Sequence, residues 1–110
     1  MGFPLAIHVW RRAPCVSLMA LLFLAAGCGP TLYTINMLSA ERAVDRAREE
    51  NARWYAPYEF HFAEAHLTKA REEAAEASFE DAIRFAKTAE TYSLKAIEIA
   101  ERQRAEKLAR

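Results

Sequence analysis

The sequence predicts an all-α fold: an alanine-rich antiparallel helical hairpin extended to a three-helix bundle, preceded by a cleaved signal peptide. Three observations carry this. The first 38 residues hold two charges, Arg11 and Arg12, whereas the remaining 72 hold fifteen acids and thirteen bases. Beyond residue 36, alanines and aromatics recur at steps of three and four, the period of one helix face. Finally, that pattern is punctuated twice, at Ala56-Pro57 and at Ser78, which leaves three helical segments joined by short turns.

Residues 1–27 read as a signal peptide. Arg11-Arg12 precede "VSLMALLFLAA", Val16 to Ala26, eleven residues without a charge. A membrane-spanning helix needs roughly 20 apolar residues, so the run is too short to span. A positive patch, a short apolar core and small residues before a cut are the marks of an export signal. Ala25-Ala26-Gly27-Cys28 resembles the lipobox of bacterial lipoproteins, with Ala25 where leucine is most frequent. That resemblance implies a diacylglycerol on the Cys28 sulfur, cleavage between Gly27 and Cys28, and acylation of the new amino terminus. Two other readings stay open. Ala25 and Gly27 would also serve an ordinary signal peptidase, leaving Cys28 a free thiol, and the run would also serve as an uncleaved anchor. In either cleaved form Cys15 departs with the signal, so no disulfide joins it to Cys28.

"GPTLYTIN", Gly29 to Asn36, shows no sustained period, and residues 28–36 read as a lipid-anchored tether. The helical domain is expected over 37–108. In its first helix, about 37–55, Met37, Ala40, Val44, Ala47, Asn51 and Trp54 share one face. Proline disfavours the α conformation in the residue before it, so Ala56-Pro57 ends that helix, and Pro57 suits the first turn of the next. The second helix, about 58–77, aligns Phe60, Ala63, Leu67, Ala70, Ala74 and Ala77. Ser78 with Asp81 three residues on resembles an N-cap of the third helix, 79–108, about 45 Å long. Its stripe is Phe79, Ala82, Ala86, Ala89, Ser93, Ala96 and Ala100, with Phe85, Tyr92 and Ile99 along one flank and Ile83 and Ile97 on the other.

Short turns make consecutive helices antiparallel, and alanine seams let their backbones approach closely. Glu49→Arg53, Glu80→Arg84, Glu98→Arg102 and Glu106→Arg110 are acid-before-base pairs at i,i+4, worth about 0.3 kcal/mol each on a solvated face. Alanine contributes little apolar area, so a mature chain of this size is near the lower limit for a self-sufficient core. Trp54, Tyr55, Tyr58 and Phe62 gather around the first turn, where they either pack on one another or form a contact patch for a partner.

"YAPYEFHFAEAHLTKAREEAAEASFEDAIRFAKTAETYSLKAIEIAE", residues 55–101, resembles a domain of unknown function seen in small proteobacterial envelope lipoproteins and sometimes placed before a peptidoglycan-binding OmpA-like domain. The resemblance rests on Tyr55-Ala56-Pro57, on Ala63/Leu67/Ala70, on Ser78-Phe79 and on Ala82/Ala86/Ala89. It implies a helical hairpin in the envelope and brings no catalytic residue. No OmpA-like domain follows in these 110 residues, so the expected hold on the cell wall is indirect or absent.

The residues give no foothold for catalysis. His61 and His66 are five apart and lie on different sides of a helix, and with Glu64 they do not make the HExxH arrangement of a zinc site, so no metal is expected. Glu72-Glu73 and Glu80-Asp81 read as solvated carboxylates. The three glycines, at 2, 27 and 29, build no phosphate loop, and Ser39, Ser78 and Ser93 lack a His/Asp partner at usable spacing. The balance of charges gives no basic footprint for nucleic acid. The expectation is therefore a non-enzyme without cofactor, apart from the covalent diacylglycerol and N-acyl lipid on Cys28, and without a small-molecule substrate. It is expected to face the periplasm from a lipid anchor and to contact an envelope protein or a second copy of itself. Gly29, where aspartate often retains lipoproteins at the inner membrane, favours the outer membrane, with the inner membrane as the alternative. An accessory lipoprotein of a transport, secretion or motility complex and a soluble secreted binder are the other readings.

Overall fold

The computed structural model describes residues 19–20 and 28–110; the expected cleavage junction at Gly27 lies outside them. Among the described residues the fold is all-α, with no strand. Helix α1 runs Cys28–Glu49, the single turn α2 Ala52–Tyr55, α3 Pro57–Ala75 and α4 Phe79–Leu108. The long α4 is the centre of the array: α1 and α3 each pack along it and touch one another less. Tyr33 meets Phe79 near the starts of α1 and α4, with ring centroids 5.9 Å apart. Farther along, Ser39 Oγ donates to Glu90 Oε1 at 2.6 Å, and Arg104 pairs with Glu50 at 2.9 Å beyond the end of α1. These contacts make α1 parallel to α4. Arg71–Glu41 at 2.9 Å and Arg48–Glu64 at 3.2 Å step in opposite senses along α1 and α3, which are antiparallel.

Alanine supplies twelve of the seventeen buried apolar residues among those described, so the seams are close-packed backbone contacts rather than interleaved large side chains. On α4 the buried line is Ala82, Ala86, Ala89, Ser93, Ala96, Ile97 and Ala100. Ser93 is tolerated there because its hydroxyl donates to the Ala89 carbonyl at 2.8 Å, which leaves no orphaned polar group. Phe60 is the one large ring wholly buried among the described residues, with the Arg53 guanidinium 5.4 Å from its centroid.

Four expectations from the sequence are corrected. Residues 28–36 are helical and form the first turns of α1. Pro30 costs nothing there, because backbone N–H groups in a first turn have no intrahelical partner. Tyr33 extends the buried stripe through Met37, Ala40, Val44 and Ala47. Second, the first helix does not continue to residue 55. Asn51 takes a left-handed conformation, φ 58°, and breaks it. The seam resumes one residue out of phase at Ala52 and Ala56, so Asn51 and Trp54 face solvent. Third, α3 stops at Ala75, and Ala77 at φ 61° turns the chain. Fourth, Ser78 precedes α4 without a side-chain capping bond; its carbonyl accepts from Ala82 N–H at 2.9 Å, while Asp81 pairs with Arg84 at 2.8 Å. The break also separates Glu49 from Arg53, whereas Glu98–Arg102 closes at 2.6 Å.

Candidate interaction surfaces

The bend between α1 and α3 is built from backbone upward. Asn51 N–H donates to the Arg48 carbonyl at 3.1 Å, and Ala56 N–H to the Ala52 carbonyl at 2.7 Å. Two consecutive residues of α4 hold what these bonds leave open. Gln103 Nε2 donates to the Tyr55 carbonyl at 3.0 Å. Arg104 donates through Nη2 to the Glu50 carbonyl at 2.8 Å and through Nη1 to the Glu50 carboxylate at 2.9 Å. A guanidinium placed at a helix C-terminus satisfies a free carbonyl and complements the negative end of the helix dipole.

The four aromatics expected at this bend divide into two pairs. Tyr55 packs against the core under the Lys107 ammonium, 4.7 Å from its ring centroid. Phe62 lies between His66 at 4.1 Å and Tyr92 at 4.2 Å. Trp54 and Tyr58 point outward, 81% and 66% exposed. Phe62 belongs to a half-buried ladder over the α3–α4 seam, Phe62–His66–Phe85 with Tyr92 alongside, and exposed Tyr58 stands at its outer end, 5.8 Å from Phe62. His66 Nδ1 donates to the Phe62 carbonyl at 2.9 Å, which fixes its ring against the stack. Reading residue types near the turn missed His66 as a member. The i,i+4 spacing of 58, 62 and 66, facing the i,i+7 spacing of 85 and 92, is the signal that finds it. Arg84 and Lys95 sit over Phe85 and Tyr92, each 5.6 Å from the ring.

Because α1 and α3 touch less than either touches α4, an open groove of about 610 Å³ runs between them. Buried Val44 and Leu67 line it below, and exposed Ala65 lines its edge. The Arg71–Glu41 and Arg48–Glu64 bridges cross it, and Asp45 pairs with Arg48 at 2.7 Å, so these carboxylates are engaged with guanidinium partners. On the outer face of α3, Lys69 lies between Glu72 and Glu73; its hydrogen bonds to them, to Glu73 foremost, raise its pKa above the ordinary lysine value. Among the described residues no cluster of three or more His, Cys, Asp or Glu is placed to hold a metal ion, and no helix is long and apolar enough to cross a membrane.

Fold and surface together define an alanine-seamed, three-helix all-α domain with aromatic and charged outer faces. The chain belongs to the family of a domain of unknown function, DUF4398, whose model matches residues 36–110. The match takes in α2, α3, α4 and most of α1, and leaves the first eight residues of α1 outside it. No curated protein and no solved structure matches the chain.

Proposed function

We propose that the protein is a lipid-anchored helical component of the bacterial cell envelope, a structural or adaptor lipoprotein facing the periplasm. The observation that carries this reading is Ala25-Ala26-Gly27-Cys28, placed after an uncharged apolar run and immediately before the folded domain, whose first helical residue is Cys28. Cleavage after Gly27 would leave the bundle whole and put its attachment point at one end of α1. Diacylglycerol on the sulfur with an N-acyl chain supplies more than one lipid, which is what stable anchoring requires. Gly29 in the second mature position supports the outer membrane. A non-catalytic role is supported by groove carboxylates that face arginines. A second reading is favoured by Trp54 and Tyr58, two large rings projecting from one bend: an accessory lipoprotein of a transport, secretion or motility complex, with the partner seated on those rings.

Palmitate labelling of the full-length protein in a bacterial host tests the anchor. Label on the wild type and none on Cys28→Ser is the expected result. An unlabelled wild type found in the soluble fraction would sink the anchor and leave a secreted helical binder.

A further inference from the structure

We infer that the outward face of the first three turns of α1 is a lipid-contacting collar, on which the domain leans against the bilayer surface. The inference rests on the lipid-anchor reading and adds a second, non-covalent contact to it.

The outward side of α1 changes character along its length. Leu32, Ile35 and Leu38 lie within one arc of the helix and are 53%, 61% and 44% exposed. Arg42, Asp45, Arg46 and Glu49 continue that same arc, all exposed to solvent. Ile35 and Arg42 are seven residues apart, as are Leu38 and Asp45, so each pair shares a radial position. In each pair the earlier member is aliphatic and the later one charged, so the change along the helix is systematic and not a single exposed side chain. Here no Asp, Glu, Lys or Arg occurs from Ala13 to Ala40, and the first charge of the domain is Glu41. The inner side of the same turns is occupied, since Tyr33 meets Phe79 and Met37 and Ala40 are buried against the core. Among the described residues nothing covers the outward part of these three aliphatic side chains.

The end of the molecule at which they stand selects the occupant. They begin four residues after Cys28, within about 15 Å of it along the helix axis. A bilayer holding Cys28 meets this face at the end of the bundle that it shares with the α3–α4 turn. Apolar faces of interfacial helices sink about 5–10 Å into the headgroup boundary, enough to cover Leu32 and Ile35. Arg42 and Arg46 then reach the level of lipid phosphates. Glu72, Glu76 and Glu80 flank the α3–α4 turn at this end of the array and oppose deeper entry, most strongly on anionic lipid. The covered order is accordingly Leu32, then Ile35, then Leu38.

The test uses the processed full-length protein in zwitterionic vesicles whose acyl chains carry bromine, a contact quencher of tryptophan. Trp54, the one tryptophan of the chain from Cys28 onward, is replaced by phenylalanine, and a single reporter is placed by Ile35→Trp, with Leu94→Trp on the exposed side of α4 as reference. Leu32→Trp and Leu38→Trp extend the series and replace the Ile35 variant if it loses helicity. The expected result is flotation with the vesicles and quenching of the Ile35 reporter at least three-fold stronger than at Leu94, falling from 32 to 38. Flotation with equal quenching at 35 and 94 overturns the collar and leaves the anchor standing. Flotation with a blue-shifted, unquenched Ile35 reporter and a doubled mass in detergent assigns the face to a second copy and also overturns it. Failure to float overturns the anchor reading and the collar together.

Discussion

The two places where the chain reverses direction solve one problem differently. At 50–56 and at 76–78 a helix ends on a non-glycine residue in the left-handed region, Asn51 at φ 58° and Ala77 at φ 61°. At Ala77 the backbone does the work alone. Ser78 N–H donates to the Glu73 carbonyl at 2.9 Å and Ala77 N–H to the Ala74 carbonyl at 3.0 Å, the paired bonds of a Schellman ending. At Asn51 the ending is completed from a distance, by Gln103 and Arg104 of α4, and Phe60 is buried just beyond it. The first reversal is thus a tertiary structure that forms only when α4 is docked, and the second is a local one. The difference teaches that α1 is held at its far end by side chains that the α3–α4 hairpin supplies.

The strongest way to break the bend is to empty it. Phe60 is wholly buried in a core otherwise made mostly of alanine, so neighbours have few long side chains with which to fill a gap. Phe60→Ala is expected to destabilise the domain by about 3–5 kcal/mol. Urea unfolding followed by circular dichroism measures it. A loss under 1 kcal/mol would mean that the bend does not depend on that ring.

A smaller effect isolates the side-chain brace. Arg104→Ala removes two charge-assisted bonds to Glu50 and exposes the end of α1; the site is partly solvated, which limits the loss to about 1–2 kcal/mol. Hydrogen exchange supplies the sharper readout. Amides of the last turn of α1 and of residues 50–56 are expected to lose protection, while those at 72–78 keep it. Equal loss at both reversals would erase the distinction between them.

The asymmetry also explains what could be read from the sequence. On α4 the alanine line is unbroken and charges fill the opposite side, so face and length were both visible. The helix break at Asn51 was hidden because two stripes fit the spacing. Asn51 and Trp54 continue 47 at steps of four and three, while the true seam jumps to Ala52 and then Ala56. A one-residue phase slip leaves no mark when small residues occur on both sides of a helix. The first turns of α1 were hidden for the opposite reason. With Leu32, Ile35 and Leu38 outside and Tyr33 and Met37 inside, apolar residues surround the helix and the contrast that defines a period vanishes. Of the aromatics at the bend, type and proximity marked all four, but only three-dimensional packing separates exposed Trp54 and Tyr58 from Tyr55 and Phe62.

The finest test of the comparison is glycine at each left-handed residue. An L-residue with a Cβ carries about 1–2 kcal/mol of strain in this region, and glycine carries none. Against that gain stands the greater freedom of glycine in the unfolded chain, about 0.4–1 kcal/mol. At Ala77 no side-chain contact is lost, since the turn rests on backbone bonds, so Ala77→Gly is expected to stabilise by about 0.5–1 kcal/mol. For a domain of this size that is a rise in Tm of roughly 2–8 °C. Asparagine already tolerates the left-handed region, so Asn51→Gly gains less strain relief for the same entropic cost and is expected to be neutral or slightly destabilising. Thermal unfolding of the two variants beside the wild type checks both signs. A stabilising Asn51→Gly with a neutral Ala77→Gly would invert the assignment of strain, and would place the stored energy at the braced bend instead of the backbone turn.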